Sequence, residues 1–590
     1  MTRLGTEVQM GTCSLCGKIF KNIRSFYSHA MNKHRNEMVS LGTRREVRVL
    51  GTLDSFLVQT PRQGQEEADT ERSCLTQHQK VFILMLSKLG ISLSSVGRKE
   101  FVEMVSLVGG DDQLVPSFRR LRSLTLCYAT EIKDANMREM QGKHVSAIID
   151  GATVGERTFY CVTFFCQRKL FFGGLFKVEV SDHASIAEVL AGPIRELSQR
   201  DVIVISVVTD NARNLALATT PTDLPGPGLC LTNQRASVQL LTGVRCVHVS
   251  CGIHTSQLIL ADLMRENEAF AKFKEGIQAL MKHFKQKSVK VVLRRLGVHG
   301  KVPLIQDIKW LTYYEAFKFV DGNREKLEAY LRENDIDGIP KKIPDEWVGF
   351  LEALRPLGEF VLATQGSSVY LWEFRRKQLE LLRAWKEADN DLTRLMSRLL
   401  IRRFEDTADG VLMELSYLMS LKALDYFVDK FRMLYSWVPG SFGAEKRQLQ
   451  AERDKLAAKF IQLSEFWGIT DARLTVPKLF DAFLMQLPNL KLTESTESYY
   501  RRLMNETYIS DQGDGTRLLI KWEGFAVVAF RVSQFPATEA VAERVFSHLE
   551  QILPSRRRRA GDDLVNAQMM IRMQSIFNEG NSQIGINQEQ

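Results

Sequence analysis

The chain predicts an α+β multidomain protein: a mixed sheet with helices, interrupted by a long all-α insertion and preceded by a zinc finger. Three observations carry this. From His144 the text runs strand, strand, strand, helix, strand; between Trp310 and about residue 520 it turns predominantly helical; and residues 13 to 34 have the ligand spacing of a small metal-bound module. At 590 residues the length accommodates about three to four domains.

The N-terminal module reads C-x2-C-x12-H-x4-H through Cys13, Cys16, His29 and His34, with Phe20 and Phe26 spaced to pack beside a zinc ion. Two cysteines on a knuckle and two histidines one turn apart on a helix close a tetrahedral Zn2+ site, which supplies folding energy so short a segment lacks. With His29 at helix position 7, the groove-facing positions are Asn22, Ser25 and Ser28. One finger spans about three base pairs, too few for a unique address. A finger can also bind protein.

We place the finger at 1–40, a polar turn-rich linker at 41–75, and a helical segment at 76–140. That segment contains HQKVFILMLSKLGISL, GRKEFVEMVSLVG and the basic FRRLR, the last either a phosphate contact or a solvated helix face. The runs VSAIID, RTFYCVTFFC and KLFFGGLFKVEV then read as an antiparallel meander, SDHASIAEVLAGPIRELSQR as a helix, and VIVISVVTD as a wholly apolar strand. That order fits an RNase H-like layout, with first and fourth strands side by side. We assign residues 141–310 to its first part and 521–578 to its second, around a helical insertion at 311–520. Residues 579–590, rich in Asn, Gln and Gly, read as a disordered tail. WEGF in RLLIKWEGFAVVAF resembles chromodomain text, but the strands and aromatic cage of such a module are missing from the sequence around it.

Three acids carry the chemistry. Asp150 ends VSAIID, Asp210 ends VIVISVVTD, and Glu543 lies on the helix of ATEAVAERVFSHLE, 333 residues beyond Asp210. Two aspartates where strands stop and one helical glutamate supply hard oxygen ligands for Mg2+ or Mn2+. Asp210, followed by NARNLALA, also suits a helix N-cap. Cys251 and His254 in CGIHTSQLIL, near Cys246 and His248, admit a metal reading, but no second CxxC completes a four-ligand set.

Four pieces carry a family resemblance: VVTDNARNLALA, the C-x2-H element Cys251 to His254, the K-W-L-T stretch at Trp310, and ATEAVAERVFS. On these the chain resembles hAT superfamily DNA transposases. The resemblance implies that Asp150, Asp210 and Glu543 form a DDE catalytic triad holding Mg2+ or Mn2+, and that an RNase H-like core is split by a helical insertion. It implies cut-and-paste transposition: strand cleavage at each transposon end, hairpin formation on flanking DNA, and joining of the freed 3′-OH ends to target DNA. Trp310 becomes a candidate stacking platform for an extruded base, and His254 a DNA contact. Association through the C-terminal region implies a homo-oligomer. Two departures from the family stand out: a C2H2 finger where a BED finger is common, and Gly151-Ala152-Thr153 where W-T-S usually follows the first aspartate. The alternative is a domesticated DNA-binding or chromatin regulator that no longer cuts. A host nuclease acting on RNA or hybrids explains the carboxylates but neither the finger nor the ERVFS element.

Composition narrows the setting only slightly. The net charge of +9 and pI near 9.0 favour a polyanionic partner mildly. Nine cysteines form no dense disulfide framework, and no stretch approaches the roughly 18 apolar residues of a membrane span. With the basic run Arg556 to Arg559 as a possible import signal, we expect a nuclear protein.

Overall fold

The computed structural model describes residues 11–12, 19–20 and 75–586. Within that last span, 97, 99–100, 102–116, 211, 221–236, 306–310, 335, 337–338, 340, 366–368, 405–406, 423, 436–442, 488–489, 491–493, 512–516 and 554–560 are excepted. Two compact units divide the chain, Met1–Cys74 and Leu75–Gln590. In the first, Gly11–Thr12 and Ile19–Phe20 pair antiparallel, with Gly11 opposite Phe20. This pair flanks Cys13 and Cys16 in sequence. The four zinc ligands and Asn22, Ser25 and Ser28 lie outside the described residues.

The second unit is α+β and built on a five-stranded mixed sheet. Its strands are β1 (His144–Val154), β2 (Arg157–Cys166), β3 (Lys169–Val178), β4 (Ile203–Thr209) and β5 (Val247–Ser250). The order is β3-β2-β1-β4-β5; β1–β2 and β2–β3 are antiparallel, β1–β4 and β4–β5 parallel. The meander and the apolar fourth strand thus form as their text predicts. β1 is longer than expected. It runs four residues past Asp150 to Val154, because antiparallel pairing with β2 continues after parallel pairing with β4 stops at Ile148.

Alternation splits the sheet's side chains between two cores. Val145, Ala147 and Ile149 face Ile186, Leu190, Ile194 and Leu197 of a helix at His183–Gln199, whose N-cap Asp182 accepts a 2.8 Å bond from Ser185 N. Ile148 and Val208 face the opposite core, the one shared with the C-terminal helices. Asp150 and Asp210, each two residues further on, lie on that second side by the period-two rule. Both faces are covered, as expected for strands this apolar.

Eight helices place the site. They are α1 (Phe118–Met140), α2 (the His183–Gln199 helix), α3 (Gly252–Glu266), α4 (Leu371–Ala388), α5 (Ala408–Met419), α6 (Glu523–Ser533), α7 (Ala540–Ile552) and α8 (Asp562–Ile586). Further helices fill the sequence from Glu268 to Leu503, so the helical stretch begins before residue 311, where the insertion was expected to start. A two-stranded antiparallel pair, β6 (Thr507–Asp511) and β7 (Arg517–Lys521), interrupts the helical text where continuous helix was expected. The β-branched and aromatic run TYIS and the run RLLIK favour extended backbone over helix. WEGF begins α6.

α8 continues to Ile586, so residues 579–586, read above as tail, are helical. Lys88, from the helix Gln77–Lys88, makes a 2.6 Å ion pair with Glu579, and Arg122 in FRRLR pairs with Asp563. The second pair supports the solvated-face reading of at least one FRRLR cation. α8 also seats on edge strand β3. There Gly173 and Gly174 form a bulge opposite Val162 and Thr163, Gly174 has φ +142°, and Asn566 Oδ1 accepts the Leu175 N–H at 2.9 Å. The double glycine of KLFFGGLF is explained by that backbone shape. A Cβ on Gly173 would stand 2.7 Å from the Phe164 ring.

Candidate active site

Register brings the two aspartates together. Ile148 is the parallel partner of Val208, so Asp150 and Asp210 occupy equivalent places along neighbouring strands, where strand spacing is roughly 4.8 Å. Both are half-buried, at the rim where β4 ends. Asp150 Oδ1 accepts the Gly151 N–H at 2.7 Å. Asp210 Oδ1 accepts from Ala212 N at 2.9 Å, while the following helix is capped by Ala212 without a side-chain bond; Asp210 makes a tight turn and is not that helix's N-cap.

The glycine after Asp150 also has a packing reason. Gly151 lies opposite Tyr160, whose ring stands 2.7 Å from where a Cβ would be. A bulky residue at this position would push Tyr160 aside.

The third acid arrives on α7, which packs across β1 and β2. The run before it, Phe535 to Ala537, is pinned from two directions. On one side Leu371 N donates to Phe535 O at 2.7 Å and Ala537 N to Val369 O at 3.0 Å; on the other, Gly252 N donates to Ala537 O at 2.9 Å. Cys251 N in turn donates to Thr209 O at 2.8 Å. The end of β4, the C-x2-H element, the start of α4 and the entrance to α7 are therefore one hydrogen-bonded assembly. This explains how residues 333 positions apart reach one place.

Glu543 is half-buried on the first turn of α7. A cavity of about 570 Å3 opens beside it and Arg544, with Gln257, Pro303, Leu304 and Thr312 on its other walls. Gln257 lies one turn beyond half-buried His254 on α3. Trp310 falls outside the described residues.

A fourth acid, missed in the sequence, sits beneath the three. Glu539 is only 3% exposed, and its Oε2 has no hydrogen-bond partner among the described residues. Burial pushes its carboxyl well above the usual range, and the charges of Asp150, Asp210 and Glu543 push it further; a hydrogen bond with the Cys251 side chain acts the other way. All three predicted acids therefore lie within electrostatic reach of one buried carboxyl. The available signal was its place four residues before Glu543, the spacing that stacks two side chains on one helical face.

Cys251 and Cys246 are core thiols. Burial raises both, Cys246 to about 12, and Glu539 raises Cys251 further. A thiol held protonated is a poor metal ligand. His248 bonds Thr209 Oγ1 through Nε2 at 2.9 Å, a contact that steadies the end of β4.

The donor set is hard oxygen, suited to Mg2+ or Mn2+. Among the described residues, no three His, Cys, Asp or Glu side chains stand close enough to enclose an ion as they are oriented here. No protein-family model matches the chain, and no curated protein matches it significantly.

Proposed function

We propose that the protein is a cut-and-paste DNA transposase of the hAT type, working on an RNase H-like core. One observation carries the reading: strand register sets Asp150 and Asp210 level on neighbouring strands, and both, with Glu543 from a remote segment, act on the same buried carboxyl. The strand order β3-β2-β1-β4-β5, with carboxylates on adjacent parallel strands and a helical insertion between the second and third acids, supports the same reading. Arg544, which lines the cavity together with Glu543 and Glu315, supplies a cation for a backbone phosphate approaching the acids.

Asp150, Asp210 and Glu543 would hold the divalent ions. Bound Mg2+ or Mn2+ supplies activation of water and stabilisation of the leaving oxygen in phosphodiester cleavage. The chain's own contribution is to hold its acids on stiff strands and a packed helix, with Arg544 offering a phosphate oxygen a charged donor. Zn2+ in the finger (Cys13, Cys16, His29, His34), base contacts from Asn22, Ser25 and Ser28, DNA contact by Trp310 and His254, homo-oligomerisation and nuclear location complete the proposal. No helix among the described residues is long and apolar enough to cross a membrane.

The test uses duplex DNA carrying the inverted repeats that flank the coding sequence, incubated with Mn2+. Asp150→Asn, Asp210→Asn and Glu543→Gln should each lower strand cleavage by roughly a thousandfold or more while DNA retention is kept. Cleavage at the wild-type rate by all three variants would overturn the reading. Retention without cleavage by the wild type favours the domesticated regulator.

A further inference from the structure

We propose that Glu539 is a fourth carboxylate ligand of the divalent-cation site, reaching the ion from below as Glu543 reaches it from the solvent side. The inference rests on the cation site proposed above and adds a donor to it.

Glu539 and Glu543 are four residues apart at the start of α7, so their side chains rise from the same helical face. They differ in setting: Glu543 borders an open cavity, whereas Glu539 is enclosed. Three properties of Glu539 converge. Its side chain is almost wholly out of water, its Oε2 is unpartnered, and its charged neighbours are three more acids.

A structural carboxylate at such a depth is ordinarily satisfied by a cation or several donors, since leaving a buried polar atom unmet costs about 1–3 kcal/mol, more if charged. Among the described residues Glu539 Oε2 meets no donor. A hydrophobic residue would fill the same volume without the cost. An acid is explained when a cation enters: the ion displaces the proton that burial otherwise keeps on Glu539, takes up the orphaned oxygen and offsets the repulsion among the carboxylates. Asp150, Asp210 and Glu543 are each partly exposed, so their side chains have room to turn toward an ion. Glu539, held by its packing, would fix where the ion settles. Its position at the N-terminus of α7 also aims the helix dipole at the negative cluster.

The experiment is Mn2+ titration of the full chain without DNA, read as free Mn2+ by electron paramagnetic resonance, with the melting temperature followed in parallel. Glu539→Gln keeps the shape but removes the charge. It should weaken Mn2+ binding about tenfold or more and abolish the Mn2+-induced rise in melting temperature, with metal-free melting unchanged or raised. Glu539→Asp, a second variant that keeps a carboxylate on a shorter arm, should bind with intermediate affinity. Glu550→Gln, on the exposed face of α7, should bind as the wild type does.

Wild-type affinity in either folded Glu539 variant overturns the proposal. So does a loss as large in Glu550→Gln, or no Mn2+ binding by the wild type. Cation binding that depends on Glu539 in a protein that cuts no DNA would remove the nuclease reading and leave this inference standing. Triad-dependent cutting with unchanged affinity in Glu539→Gln would do the reverse.

Discussion

His144, the first residue of β1, shows what burial does to a single titratable group. Its ring packs 5.4 Å from Phe530, and burial, aided by the nearby Arg531 charge, lowers its pKa from 6.5 to about 4. The folded protein thus keeps His144 neutral at pH values where the unfolded chain protonates it. The contribution is fully present above pH 6.5 and is lost as pH falls from 6.5 toward 4. A shift of this size corresponds to about 3 kcal/mol. Denaturant unfolding of His144→Gln should therefore lose less stability across that window than the wild type, by up to about 3 kcal/mol; identical pH slopes would show that His144 is not held neutral. Residue identity made Asp150 and Asp210 visible in the sequence, because each ends an apolar run, and the ATEAVAERVFS text marked Glu543. Glu539 was invisible for the opposite reason. On a helix start a glutamate reads as ordinary, and only tertiary packing shows that this one is buried.

At the level of elements, the site depends on how closely α3 approaches α4 and the run Phe535 to Ala537. Gly252 makes that approach possible: a Cβ there would stand 2.6 Å from the ring of Phe374, which is fully buried against Phe360 and Phe404. Gly252→Ala gains at most about 1 kcal/mol of helix propensity, whereas forcing an overpacked ring aside costs about 1–3 kcal/mol. The clash wins, and a net loss of about 1–2 kcal/mol is expected in thermal or denaturant unfolding. Because Gly252 N also bonds Ala537 O, the strand cleavage proposed above should fall more than stability alone accounts for. Stability equal to wild type would show that Phe374 yields freely. Strand type and order were legible because apolar runs of period two and of continuous hydrophobicity are local signals. The register that aligns Asp150 with Asp210 was not, since it depends on pairing between chains 60 positions apart. Nor was β6–β7, a short hairpin in text dominated by helix formers.

For the whole molecule, the question is whether the helical insertion is a domain in its own right. Text alone marks 311–520 as a separate block, yet one hydrophobic core runs without a break from Ile148 and Val208 of the sheet, through the helices of the insertion, to α6, α7 and α8. Polar links cross the same seam. Ser416 Oγ of α5 donates to Val532 O of α6 at 3.0 Å, and Arg403 holds Asp262 of α3 through two 2.7 Å bonds, with Asp262 1% exposed. Cutting at residues 311 and 520 would expose the apolar faces that α3, α6 and α7 cover and would leave Arg403 without Asp262. Each fully buried apolar side chain returned to water costs about 1.5–3 kcal/mol, and a domain's whole stability is only about 5–15 kcal/mol. A few such side chains suffice to unfold the fragment. Expressed alone, residues 311–520 should therefore melt without a cooperative calorimetric transition and bind a hydrophobic dye, whereas the unit 75–590 should melt in a single sharp transition. A cooperative transition in the isolated fragment would mean that the insertion folds independently, and that the clamp of Val369 and Leu371 on Phe535 and Ala537 is a docking contact between finished domains.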